Sequence, residues 1–228
     1  MPQTWLEVVA WCALASGFVS AGWLAWDISV RRYRPDMAIM GVVWPVTALY
    51  FGPLAVWGYL RFGRPYTDRW RQQHGQAPRR APWASVAVGV SHCGAGCTLG
   101  DVIAEFLVFG AGWTIAGRAL WAQYICDFLA ALVLGIFFQY LAIAAMRGPG
   151  LRAGLKAAAK ADVLSLSAFE VGLFSWMAVM TFVLFPDPHL TPTSPVYWFL
   201  MQIGMVIGFF TAWPANVWLI RRGIKHAM

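Results

Sequence analysis

The sequence predicts an all-α polytopic membrane bundle of about six transmembrane helices, with both termini cytoplasmic. Three observations carry this. Sixty per cent of the 228 residues are hydrophobic and only 12% are charged, against roughly a quarter charged in soluble domains. The charges fall in short blocks, separated by apolar runs long enough for the about 20 helical residues that cross a hydrocarbon core. Those runs are near-continuous rather than alternating with a period of two, which favours helices over a lipid-embedded barrel.

The first run, 5–29, follows Met1-Pro2-Gln3-Thr4-Trp5-Leu6-Glu7, which lacks the basic region of a secretory signal peptide and so reads as a mature membrane helix. The second, 37–60, contains Trp44-Pro45-Val46-Thr47, echoed by Trp213-Pro214-Ala215-Asn216 in the last run. Proline frees a carbonyl one turn earlier; the pair is either a weak inverted repeat, as in some transporters, or coincidence. A basic, Gly- and Pro-broken loop, 61–84, precedes the third run, 86–112. The fourth and fifth are 119–145 and 163–185, joined through the Ala-rich, cationic segment 151–162, which suits either a surface amphipathic helix or a solvated connector. The sixth is 197–220. One membrane domain, 1–228, accounts for the whole chain.

Orientation follows from the positive-inside rule. Loop 61–84, the connection with Arg147, Arg152, Lys156 and Lys160, and the tail with Arg221, Arg222 and Lys225 lie on one side if both termini are inside. Arg31, Arg32 and Arg34 are the exception to this arrangement: either they pair with Asp27 and Asp36 near the outer surface, or the first helix is tilted and misassigned. The net charge of +7 and the 14 tryptophans therefore read as membrane anchors rather than as a nucleic-acid surface. The cysteines, Cys12, Cys93, Cys97 and Cys126, all lie in apolar runs and form no secreted disulfide framework. The expected location is a bacterial inner membrane, the expected partner the lipid bilayer; a homo-oligomer is compatible with the sequence.

The third run holds the chemistry. Cys93, Cys97, Asp101 and Glu105 recur at four-residue steps and form one drifting stripe on a helix, with His92 beside it. Soft thiolates prefer Cu(I). Cys93, Cys97 and His92 are therefore candidate metal ligands. Met37, Met40, Met177, Met180, Met201 and Met205, paired at three- or four-residue spacing, are candidate accessory ligands, although methionine is more often a core gap-filler. Burial away from cations favours the protonated form of a carboxylic acid, so Asp101, Glu105, Asp127 and Glu170 are candidates for a proton or charge relay; interhelical hydrogen bonding weighs equally. Gly89, Gly94, Gly96 and Gly100 permit close helix packing. His74, His189 and His226 fall in polar segments and read as solvated. His92 alone lies within a span, which disfavours haem, and no serine–histidine–acid set suggests hydrolysis.

The run Ser91-His92-Cys93-Gly94-Ala95-Gly96-Cys97-Thr98-Leu99-Gly100-Asp101, with Trp44-Pro45-Val46-Thr47-Ala48-Leu49-Tyr50 before it and Arg221-Arg222-Gly223-Ile224-Lys225 after it, resembles an uncharacterised family of bacterial multi-pass membrane proteins known only as a domain of unknown function. The resemblance covers about 37–228 and implies the membrane class without an activity. The leading expectation is a non-enzymatic transporter or binding protein for a soft metal ion, Cu(I) first. Its competitors are a thiol-disulfide oxidoreductase cycling Cys93 and Cys97, with the helix unwound near Gly94 or Gly96, and a scaffold subunit without chemistry.

Overall fold

A computed structural model describes residues 4–145 and 151–225, with the side chains of 142–158, 160 and 161 left out. The expected charges Arg147, Arg152, Lys156 and Lys160, and His226, lie outside that description. Eight α-helices form among the described residues: α1 (Thr4–Ser29), α2 (Met40–Phe51), α3 (Pro53–Phe62), α4 (Asp68–His74), α5 (Pro82–Ala111), α6 (Ala119–Ala145), α7 (Leu151–Val179) and α8 (Pro195–Arg221). Five segments are long and apolar enough to cross a membrane: Thr4–Ser29, Pro82–Ala111, Ala119–Leu141, Asp162–Leu184 and Pro195–Arg221. The chain is therefore a multi-pass helical membrane bundle.

The run 37–60, expected as one crossing, forms two short antiparallel helices, α2 and α3. Gly52 breaks it with φ +55°, a conformation that a β-carbon disfavours, and Pro53 starts α3 at the position where a missing N–H costs nothing. Chain reversal brings the Trp44 ring onto Tyr59, edge to face at 5.6 Å. At the hairpin base, buried Asp27 accepts a hydrogen bond from the Tyr59 hydroxyl (2.9 Å) and faces Arg31 at 3.1 Å and Arg64 at 3.2 Å. Arg71 bridges to Asp36 at 2.7 Å, and Pro35 and Thr67 form an isolated bridge. The arginines that looked exceptional in sequence thus share one surface with the 61–84 loop.

Neighbouring helices among α5 to α8 pack antiparallel. A methyl group on Gly100 would lie 2.5 Å from the Ala131 backbone nitrogen, and one on Gly96 would lie 3.0 Å from the Gly135 Cα. A methyl on Gly172 would lie 3.0 Å from the Gly208 Cα. Small residues bring the backbones this close, so part of the glycine pattern is packing; Gly89 has open space instead. Segment 151–162 continues α7 in its backbone rather than forming a separate helix. The Trp-Pro echo falls on unlike elements, a 12-residue half-helix and the 27-residue α8. Asn216 donates to the Ala212 carbonyl at 2.9 Å and to Ser165 Oγ at 2.6 Å, which ties α8 to α7.

Candidate functional site

Helix α5 runs unbroken through Gly94 and Gly96, so the four-residue stripe is real: Cys93, Cys97, Asp101 and Glu105 are all buried. The local unwinding that a Cys93–Cys97 disulfide would need is not present, and both are free thiols. Cys12 is exposed on α1 and Cys126 half-buried on α6.

Helix α7 supplies the partners of the stripe. Asp162 lies beside Cys93, and Glu170 lies beside Cys97 and near Asp101. Asp162 also faces Lys225, which folds back from the end of α8 to 3.5 Å, both side chains being buried. Farther along, Asp127 of α6 lies beside Glu105. Gln123 Nε2 donates to Glu105 Oε2 at 2.6 Å and reaches the Tyr197 hydroxyl at 3.4 Å. Gln123 and Tyr197 in turn line a pocket of about 120 Å³ with Met177, Met180 and His189. The result is a row of buried polar groups through the apolar bundle, a polar seam from Lys225 and Asp162 at one end to that pocket at the other.

The seam is under-satisfied. Among the described residues, no hydrogen bond of normal geometry reaches either oxygen of Asp101, Asp127 or Glu170. An ionised, unpaired carboxylate in such surroundings is strongly disfavoured, so these groups must share protons, water or a cation. The Tyr50 hydroxyl, near the tip of the α2–α3 hairpin, is buried near Thr47 and lies against Gly94, where a methyl would come within 3.2 Å of it.

The other candidate ligands are distributed differently. His92 is fully buried and meets the Phe138 ring of α6 in an edge-type contact, at 6.3 Å between centroids; adjacent helix residues diverge by about 100°, so the imidazole does not follow Cys93. Met37 and Met40 sit at the hairpin base, in the apolar cluster of Val43 and Tyr59. Met177, Met180, Met201 and Met205 are buried in the same core as Cys93 and Cys97. Met177 and Met180 line the end pocket, where His189 joins them, and Met201 and Met205 line an apolar groove with Trp11 and Thr98. Among the described residues, no three His, Cys, Asp or Glu side chains are grouped to hold a metal ion. Asp162, Lys225, Gln123 and Tyr197 are seam members that the sequence reading did not single out. The clue for Lys225 was a lysine just past Gly223, and for Asp162 an acid at the head of an apolar run.

A family model described as a domain of unknown function, DUF4396, matches residues 82–225. The chain belongs to the DUF4396 family. The matched region is α5 to α8 with the Lys225 turn, so the family domain contains the whole seam while α1 and the hairpin precede it. No curated protein and no solved structure matches the chain.

Proposed function

We propose that this DUF4396 protein is a bacterial inner-membrane transporter or binding protein for a soft metal ion, Cu(I), held by Cys93 and Cys97. The observation that supports this reading is two buried thiols one turn apart on α5, Cys93 and Cys97, with the buried acids Asp162 and Glu170 of α7 close to them. Thiolates are the ligands that select Cu(I), and they form only if the thiol proton has somewhere to go. As each Cu–S bond forms, one S–H bond breaks: Asp162, ionised beside Lys225, takes the Cys93 proton, and Glu170 takes the Cys97 proton as it hands its own on toward Asp101. The Lys225 ammonium keeps Asp162 a ready acceptor. From Glu170, protons pass toward Asp101, Asp127 and Glu105, and so to the pocket at Gln123 and Tyr197. Two thiolates suffice for Cu(I), which tolerates two-coordination, whereas a structural zinc site takes about four ligands.

Metal analysis of the purified protein, as isolated and after anaerobic Cu(I) loading, tests this reading. Copper is expected to be retained by the native chain and by Cys12→Ser with Cys126→Ser, and lost in Cys93→Ser with Cys97→Ser. Retention unchanged in the latter variant overturns the proposal.

A further inference from the structure

We infer that α2 and α3 form a re-entrant hairpin that enters and leaves the bilayer on one face, so that the chain crosses the membrane five times and its termini lie on opposite faces. This inference is independent of what the seam carries.

Four observations lead to it. First, the hairpin is too short to cross: the 12 residues of α2 span about 18 Å against a hydrocarbon core of about 30 Å. Second, its tip stops at mid-bundle. Gly52 meets Ser16, halfway along α1, and Gln202 of α8 donates to the Leu49 carbonyl at 2.6 Å. Third, its two ends are tied together through Asp27, Arg64, Asp36 and Arg71, so residues 30–36 and 63–74 lie on the same face. Fourth, the broken backbone borders a pocket of about 290 Å³ lined by Ser16, Tyr50, Gly52 and Gln202. Irregular backbone at membrane depth is tolerated where it is buried in protein, and Gly52 is buried.

Charge then sets the orientation. From the hairpin base, α5 leads away, α6 returns, α7 leads away and α8 returns, bringing Arg221, Arg222 and Lys225 to the face of Arg31, Arg32, Arg34, Arg64, Arg69, Arg71, Arg79 and Arg80. Of Lys and Arg, segments 112–118 and 185–194 on the other face hold Arg118 alone. The basic face is cytoplasmic by the positive-inside rule, and the N-terminus lies outside. A six-crossing chain leaves three arginines on the wrong side; the hairpin leaves none of them there.

Single cysteines in a chain with its native cysteines replaced by serine, probed with a membrane-impermeant maleimide in intact and permeabilised cells, test this. Thr4→Cys, Thr114→Cys and Thr193→Cys are expected to label in intact cells, and Arg34→Cys, Gln72→Cys and Arg222→Cys only after permeabilisation. Arg34→Cys and Gln72→Cys labelling from opposite faces, or Thr4→Cys labelling with Arg222→Cys, overturns the inference. A fluorescent protein that matures only in the cytoplasm, fused to either end of the otherwise native chain, gives the same answer without cysteine replacement: dark at the N-terminus and bright at the C-terminus supports five crossings, bright at both overturns it.

Discussion

Lys225 Nζ lies 3.5 Å from Asp162 Oδ1, and both side chains are buried although Lys225 follows the end of the last helix. Gly223, at φ +67°, turns the chain after α8, and the Ile224 and Lys225 amides both return to the Leu219 carbonyl, at 3.0 and 3.3 Å. This is the left-handed helix stop that glycine favours. It places an ammonium at the end of the seam, next to the acid that borders Cys93.

Breaking a buried ion pair from one side strands a charge and costs about 3–5 kcal/mol, whereas replacing both partners is often near neutral. Lys225→Met is therefore expected to destabilise the protein strongly, and Lys225→Met with Asp162→Asn to recover most of that loss. Thermal unfolding in detergent reads the difference. A double variant no more stable than the single one contradicts the pairing.

The α5–α6 contact predicts a contrast between glycines of one helix. A methyl on Gly100 would press on the Ala131 backbone at 2.5 Å, while Gly110 faces open space. Gly100→Ala is expected to lose roughly 1–3 kcal/mol by overpacking. Gly110→Ala is expected to gain up to about 1 kcal/mol from helix propensity. The same unfolding assay ranks them.

At the hairpin base, Asp27 is fully buried and meets Tyr59, Arg31 and Arg64, whereas the Arg31 side chain is 42% exposed. Asp27→Ala leaves Arg64 without its buried partner and is expected to cost about 3–5 kcal/mol. Arg31→Ala removes a solvent-screened pair worth about 0–1 kcal/mol. Limited proteolysis in the 63–75 segment adds a local readout: faster cleavage in Asp27→Ala than in Arg31→Ala is the expected order.

Amides cannot carry protons as carboxylic acids do. Asp101→Asn with Glu105→Gln keeps the size and hydrogen-bonding shape of the seam. In sealed liposomes with an entrapped pH dye, this variant is expected to bind Cu(I) as the native protein does and to lose Cu(I)-linked proton movement. Unaltered proton movement removes these two acids from the relay and leaves them a packing role.

Composition and apolar run length were enough to establish the membrane bundle, because about 20 apolar residues have few other solutions in water or lipid. Helix periodicity was likewise enough to align Cys93, Cys97, Asp101 and Glu105, since a four-residue step is a property of one unbroken element. Tertiary structure decided the rest. Whether 37–60 crosses or folds back depends on Gly52 and on Asp27, Arg64 and Arg71, which come from separate elements, and an apolar run reads the same in either case. That His92 meets Phe138 of α6 was likewise set by helix packing, although its divergence from Cys93 follows from the helix alone. Asp162 and Lys225 joined the seam across 63 residues of chain, a contact that only the packing of α5, α7 and α8 could create.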